Sequence, residues 1–105
     1  MNNTFGLKET NLEKLIAVLH LQPKVEEAYI FGSRAKGNYK NGSDIYIALK
    51  GEKLNFESIS HISYLLNEET NRSYKFDVLN YKTITSNDLV EHIDQLGINF
   101  YKQNQ

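Results

Sequence analysis

The segment VEEAYIFG, residues 25–32, admits few structures. Its side chains alternate as strand side chains do, with Ala28 and Ile30 on one face and Tyr29 and Phe31 on the other. Both sets are apolar. A strand that is apolar on both faces must be covered on both, so it belongs inside a sheet and not at a bare edge. Gly32-Ser33 ends the run, and SRAKG after it is compatible with a short helix that has Ser33 near its N-terminus. NYKNGS then carries turn chemistry, strongest at Asn41-Gly42. SDIYIALK follows as a second strand, with Ile45, Ile47 and Leu49 on one face and Asp44, Tyr46 and Ala48 on the other.

Helical patterns surround these strands. In TNLEKLIAVLHLQP, Leu12, Leu15, Ile16 and Leu19 form one apolar face, Thr10 and Glu13 have capping-box spacing, and Pro23 is the stop. NFESISHISYLLNEET has Asn55 as its cap and Phe56, Ile59, Ile62, Ser63 and Leu66 as its inner stripe. SYKFDVLNY is a third strand, with Phe76 and Val78 on one face and Lys75, Asp77 and Leu79 on the other. SNDLVEHIDQLGINFY is read as a last helix capped by Ser86, with Leu89, Val90, Ile93 and Leu96 apolar and Gly97 a break or a point of close packing. The expectation is therefore an α/β (α+β) domain over residues 1–105: a small mixed three-stranded sheet flanked by about four helices.

Composition narrows the function. There is no cysteine, which excludes disulfides and thiolate metal sites. No apolar run reaches the ~18 residues of a membrane span, and the polar start MNNTFGLKET has no signal-like apolar region, so the protein is expected in the cytoplasm. A net charge of -1 gives no global basic field, so nucleic acid is not the expected ligand. A local cluster of Arg34, Lys36 and Lys40, with Lys50 and Lys53 beyond the second strand, is the one basis for a nucleic-acid-binding alternative. The three histidines, His20, His61 and His92, fall on separate helical segments without ligand spacing and read as surface or packing residues. Tyr39 reads as an exposed loop aromatic.

Three features call for chemistry. Glycine at a strand-to-helix turn lets a ligand approach the backbone, and free N–H groups there suit an anion, although a plain turn with a serine cap has the same sequence. Asp44 opens a strand, where aspartate is depleted unless it serves a turn. Asp77 lies mid-strand between Phe76 and Val78. Burying a carboxylate alone is costly, so Asp77 needs an open face, a metal or a cation such as Lys75.

Taken together, GSRAKGNYKNGSDIYIAL and the later Asp77 resemble the signature of the minimal nucleotidyltransferases of the DNA polymerase β superfamily. That signature is Gly-Ser, ten residues, Asp-x-Asp, and a third aspartate on a later strand. Here Gly32-Ser33 is followed by residues 34 to 43, then Asp44-Ile45-Tyr46. The tail HIDQLGINFY also resembles the C-terminal end of the family. The resemblance implies a polymerase β-like fold. It further implies ATP as substrate held by Gly32, Ser33 and Arg34, with Mg²⁺ held by Asp44 and Asp77, the latter also activating the attacking hydroxyl.

The sequence departs from the signature at position 46, where tyrosine replaces the second aspartate. A neutral phenol is a poor magnesium ligand, so catalysis is expected to be weakened or lost while the strand is kept. Within this family the chain is similar to antitoxins paired with HEPN-type ribonuclease toxins. That implies transfer of AMP to a tyrosine of a small helical toxin. The alternative is a catalytically inactive nucleotide-binding antitoxin that neutralises its partner by contact alone.

Overall fold

The structure, a computed structural model, describes residues 7, 9–37, 44–69 and 74–103. The expected turn at Asn41-Gly42, and with it Tyr39 and Lys40, lies outside the described residues.

Helix α1 (Glu9–His20) buries Leu15 and Leu19 of its expected face and packs the half-buried Leu12 and Ile16 against the same core, with Val18 buried in addition. It begins at Glu9, so Thr10 lies inside the first turn and does not cap it. Glutamate is a good helix former, and its charge favours the positive end of the helix. Strand β1 (Glu27–Phe31) runs into the short α2 (Ser33–Lys36). Strand β2 (Ile45–Lys50), helix α3 (Phe56–Glu69) and strand β3 (Phe76–Asn80) follow. A 3₁₀ turn at Tyr81–Thr83 leads to α4 (Asn87–Leu96) and β4 (Ile98–Lys102).

The caps of the later helices form as expected. Asn55 Oδ1 accepts the Ser58 N–H at 2.8 Å, and Ser86 Oγ accepts the Leu89 N–H at 3.2 Å. Phe56 corrects the expected stripe of α3. It is 84% exposed and stands roughly a quarter-turn around the helix from the row of Ile59, Ile62 and Leu66 that packs inward.

The sheet has four strands where three were expected, in the order β3-β2-β1-β4. The extra strand comes from the tail that reads as the end of the last helix. Gly97 ends α4, donating its N–H to Ile93 O at 2.8 Å. A Cβ there would lie 2.5 Å from that carbonyl, so only glycine fits without a shift. The next residues, INFYK, include the strand formers Ile98, Phe100 and Tyr101 and pair antiparallel with β1. β1 is thus flanked on both sides, as its two apolar faces require. β1 and β2 are antiparallel, while β2 and β3 are parallel.

One sheet face, carrying Ala28, Ile30, Ile45, Ile47, Leu49 and Phe76, packs with Leu15 and Leu19 of α1 and Ile62 and Leu66 of α3. The other face carries a smaller cluster: Phe31, Ala48 and Ile93 of α4, bordered by Leu79, Tyr81, Ile84 and Leu89. α4 therefore covers only part of this second face, and Tyr46, 38% exposed, stands on the uncovered part. Among the described residues no helix is long and apolar enough to cross a membrane.

Candidate functional site

The register of the three neighbouring strands sets a row across the second face. Phe31 pairs with Tyr46, and Tyr46 pairs with Asp77. Directly paired residues point to one side, so the row reads Phe31, Tyr46, Asp77. Asp44 lies two residues before Tyr46 and just outside β2, which begins at Ile45 and not, as the sequence suggested, at the aspartate. The first residue of β2 is tied to the residue before β3 by the Ile45 N–H, which donates to Lys75 O at 2.8 Å. That bond fixes the two aspartate-bearing segments side by side.

A side chain from α3 fixes the height of Asp77. Asn67 Oδ1 accepts the Phe76 N–H at 3.0 Å, and Asn67 Nδ2 donates to Phe76 O at 3.2 Å. Asn67 thus acts as a strand partner on the edge of β3, one residue from Asp77. Nothing in its helical context announces this. Asp44 and Asp77 are both half-buried, and among the described residues neither carboxylate has a salt-bridge or hydrogen-bond partner, Lys75 included. Half-buried, each keeps part of its surface open to water or to a ligand.

Gly32 sits at the end of the row with φ +82°, a conformation that costs any other residue about 1–2 kcal/mol. Tyr46 lies against it: a Cβ on Gly32 would be 3.3 Å from Tyr46 Cδ2. The Tyr46 ring also lies 5.7 Å, centroid to centroid, from Phe31, and Tyr46 is 38% exposed. The Gly32 N–H donates to His92 Nε2 of α4 at 3.3 Å, and the His92 ring meets Phe31 edge-on at 6.1 Å. His92 does pack, as expected of it, but it also reaches the backbone of the glycine turn across 60 positions of sequence.

The remaining expected residues are distributed as follows. Ser33 begins α2. Arg34 is only 2% exposed, with its guanidinium carbon 5.7 Å from the Tyr74 ring centroid. From there it does not offer a cation to a ligand in solvent, and it is not part of a surface basic patch. The aspartates and Gly32 are therefore brought together, while Arg34 is drawn inward. A hollow of about 470 Å³ lies at the opposite end of β3, between Leu54, Phe56, Ile59 and Leu79, and no carboxylate lines it.

At the other end of the same sheet face, Lys50 Nζ lies 4.6 Å from the Tyr29 ring centroid and 4.4 Å from that of Tyr81. Tyr29 Oη donates to Glu27 Oε1 at 2.9 Å, and Tyr81 Oη donates to Asp94 Oδ1 at 2.6 Å. Both phenols are held above their ordinary pKa. For Tyr29 the main cause is burial, followed by the Glu27 hydrogen bond and charge. For Tyr81 it is the bond to Asp94, which requires the phenol proton.

The family described as polymerase beta, nucleotidyltransferase matches residues 13–105 of this sequence. The chain belongs to that nucleotidyltransferase family. Its fold recurs in solved structures. A chain of a toxin–antitoxin pair solved with AMP-PNP shares 23% identity at a TM-score of 0.70, over 94% of this chain and 77% of that one. A chain of the MntA–HepT toxin–antitoxin pair shares 20% at 0.68, over 91% and 74%. A chain from Shewanella oneidensis shares 14% at 0.69, over 92% and 74%. At these identities the likeness shows the fold. No curated protein matches the chain.

A nucleotidyltransferase of this family implies a nucleotide substrate and usually a divalent metal ion. The donor set here is two carboxylates, Asp44 and Asp77, with the phenol of Tyr46 between them. Among the described residues no three His, Cys, Asp or Glu side chains group so as to hold an ion. Magnesium is content with one or two protein carboxylates when substrate phosphates and water complete its shell. The residues present therefore fit one ion brought with a nucleotide, through Asp44 and Asp77. They do not fit the pair of ions that a third carboxylate would support.

Proposed function

We infer that this chain is a nucleotidyltransferase-fold antitoxin whose ancestral chemistry is transfer of AMP from ATP to a tyrosine of a HEPN-type ribonuclease toxin, and that Tyr46 weakens or abolishes this transfer. The observation that carries the reading is the row Gly32–Tyr46–Asp77, with Asp44 just before the strand: a glycine turn, two carboxylates without a partner among the described residues, and a phenol where a carboxylate would complete the set. Support for a toxin partner comes from the similarity in fold to chains of toxin–antitoxin pairs. Support for a nucleotide comes from the family, and support for ATP from the similar fold solved with AMP-PNP.

In this reading Gly32 and Ser33 bind the triphosphate. Asp44 and Asp77 hold Mg²⁺, and Asp77 orients the acceptor hydroxyl and takes its proton. The metal, when bound, neutralises charge that develops on the phosphoryl oxygens. Arg34 contributes only if its side chain leaves its buried place.

The position of Tyr46 also favours a second reading, neutralisation of the toxin by contact alone. Its ring lies on Gly32, against the turn that the triphosphate must approach. Co-expression with the toxin and mass spectrometry of the toxin separates the two. AMP on a toxin tyrosine with this chain supports residual transfer. Neutralisation with no AMP adduct supports contact alone. Absence of both neutralisation and adduct with this chain and with Tyr46→Asp would remove the antitoxin reading.

A further inference from the structure

Gly32 is bracketed by two side chains from different elements. The Tyr46 ring of β2 meets its Cα side, and His92 of α4 takes its N–H. An N–H bonded to an imidazole nitrogen is not free for a phosphate oxygen. As acceptor, Nε2 must be the unprotonated ring nitrogen, so its lone pair points at the place an anion would occupy. The bond is long, 3.3 Å, and so easily exchanged. The ring itself is steadied by its edge-on contact with Phe31, which sets where the nitrogen stands.

We propose that His92 is an internal competitor at the nucleotide site: it holds the Gly32 N–H in the free protein, and a phosphate chain binds only by displacing it. This rests on the nucleotide-site reading above and adds to it a residue from outside the strand–turn–strand unit. Because His92 lies on α4, ligand at Gly32 and the seating of α4 are coupled. One net hydrogen bond corresponds to about a three- to tenfold change in an equilibrium, which sets the size of the effect.

The test is calorimetric titration of inorganic tripolyphosphate, and separately of ATP, without metal, into the whole chain and three variants. His92→Ala is expected to bind both about three- to tenfold more tightly. His92→Gln, whose amide oxygen still accepts a hydrogen bond, is expected to match the starting protein. His61→Ala, exposed on α3, serves as control and is expected to change nothing. Equal or weaker binding by His92→Ala would overturn the proposal. Nitrogen NMR of the free protein reads the contact without ligand: the Gly32 amide resonance should move in His92→Ala and hold in His92→Gln. If that contact is seen but no form, Tyr46→Asp with Mg²⁺ included, binds either probe, the nucleotide reading itself fails and takes the proposal with it.

Discussion

The two ends of one sheet face use the same kinds of side chain to opposite effect. At the far end a lysine lies between two tyrosine rings, and each phenol donates to a carboxylate. Every charged or polar tip has a partner, and the cluster fastens α4 and the 3₁₀ turn to the strands. At the near end two carboxylates stand without partners among the described residues, a tyrosine lies on a glycine, and a backbone N–H is met by a histidine through a long bond. The first arrangement is complete in itself. The second leaves groups exposed that the proposed nucleotide site would use.

Substitution at the near end should therefore change function most, and substitution at the far end should change stability. Tyr46→Asp is expected to have the largest effect. It restores a third carboxylate and lifts an aromatic ring off Gly32. AMP transfer to the toxin, measured as rate of adduct formation, should rise on the order of 10³-fold, equivalent to about 4 kcal/mol of barrier. Unchanged transfer would place the defect elsewhere. At the far end, Tyr81→Phe removes the bond to Asp94 and should lower unfolding stability by about 1 kcal/mol in a urea titration, with ATP affinity unchanged. Lys50→Met keeps much of the aliphatic stem but loses the cation between the rings. Its expected cost is about 0.5–1 kcal/mol in the same assay. A loss of ATP affinity in either far-end variant would show that the two ends are not separable.

The near end was legible in sequence because its signals are local. A glycine-serine turn after an apolar strand, and aspartates inside strand-like runs, are exceptions to propensity that a reader can see. The registry that sets Tyr46 beside Asp77 follows once the strands pair. The residues that steady the site were not legible. Asn67 and His92 each make an ordinary helical residue into a partner of a distant backbone, and that depends on how α3 and α4 seat on the sheet. The burial of Arg34 was not legible for the related reason that a charged residue near the signature reads as exposed, whereas here it is buried over Tyr74. The fourth strand was hidden because HIDQLGINFY keeps apolar residues at helical spacing across Gly97. Only the close approach of Gly97 to the Ile93 carbonyl shows that the helix stops there.

The smallest effect separates the two ends by pH. Tyr29 and Tyr81 both have pKa values raised in the folded chain above the ordinary 10.0. The unfolded chain therefore loses these protons at lower pH than the folded chain does. Across that interval the folded state binds more protons, and stability falls as pH rises. The contribution is fully present below about pH 10 and is lost as the pH passes through the folded values. Urea midpoints at about pH 9 and about pH 11 should thus differ more for the starting protein than for Tyr29→Phe/Tyr81→Phe, which lacks both protons. Comparing the two proteins cancels the titration of lysines and of the other tyrosines, which they share. An equal drop in both would mean that the far-end hydrogen bonds to Glu27 and Asp94 are too exposed to matter. The far end's stabilising role would then fall to the Lys50 contact, with the apolar packing of Phe31, Ala48 and Ile93 between the two ends holding α4 on the sheet.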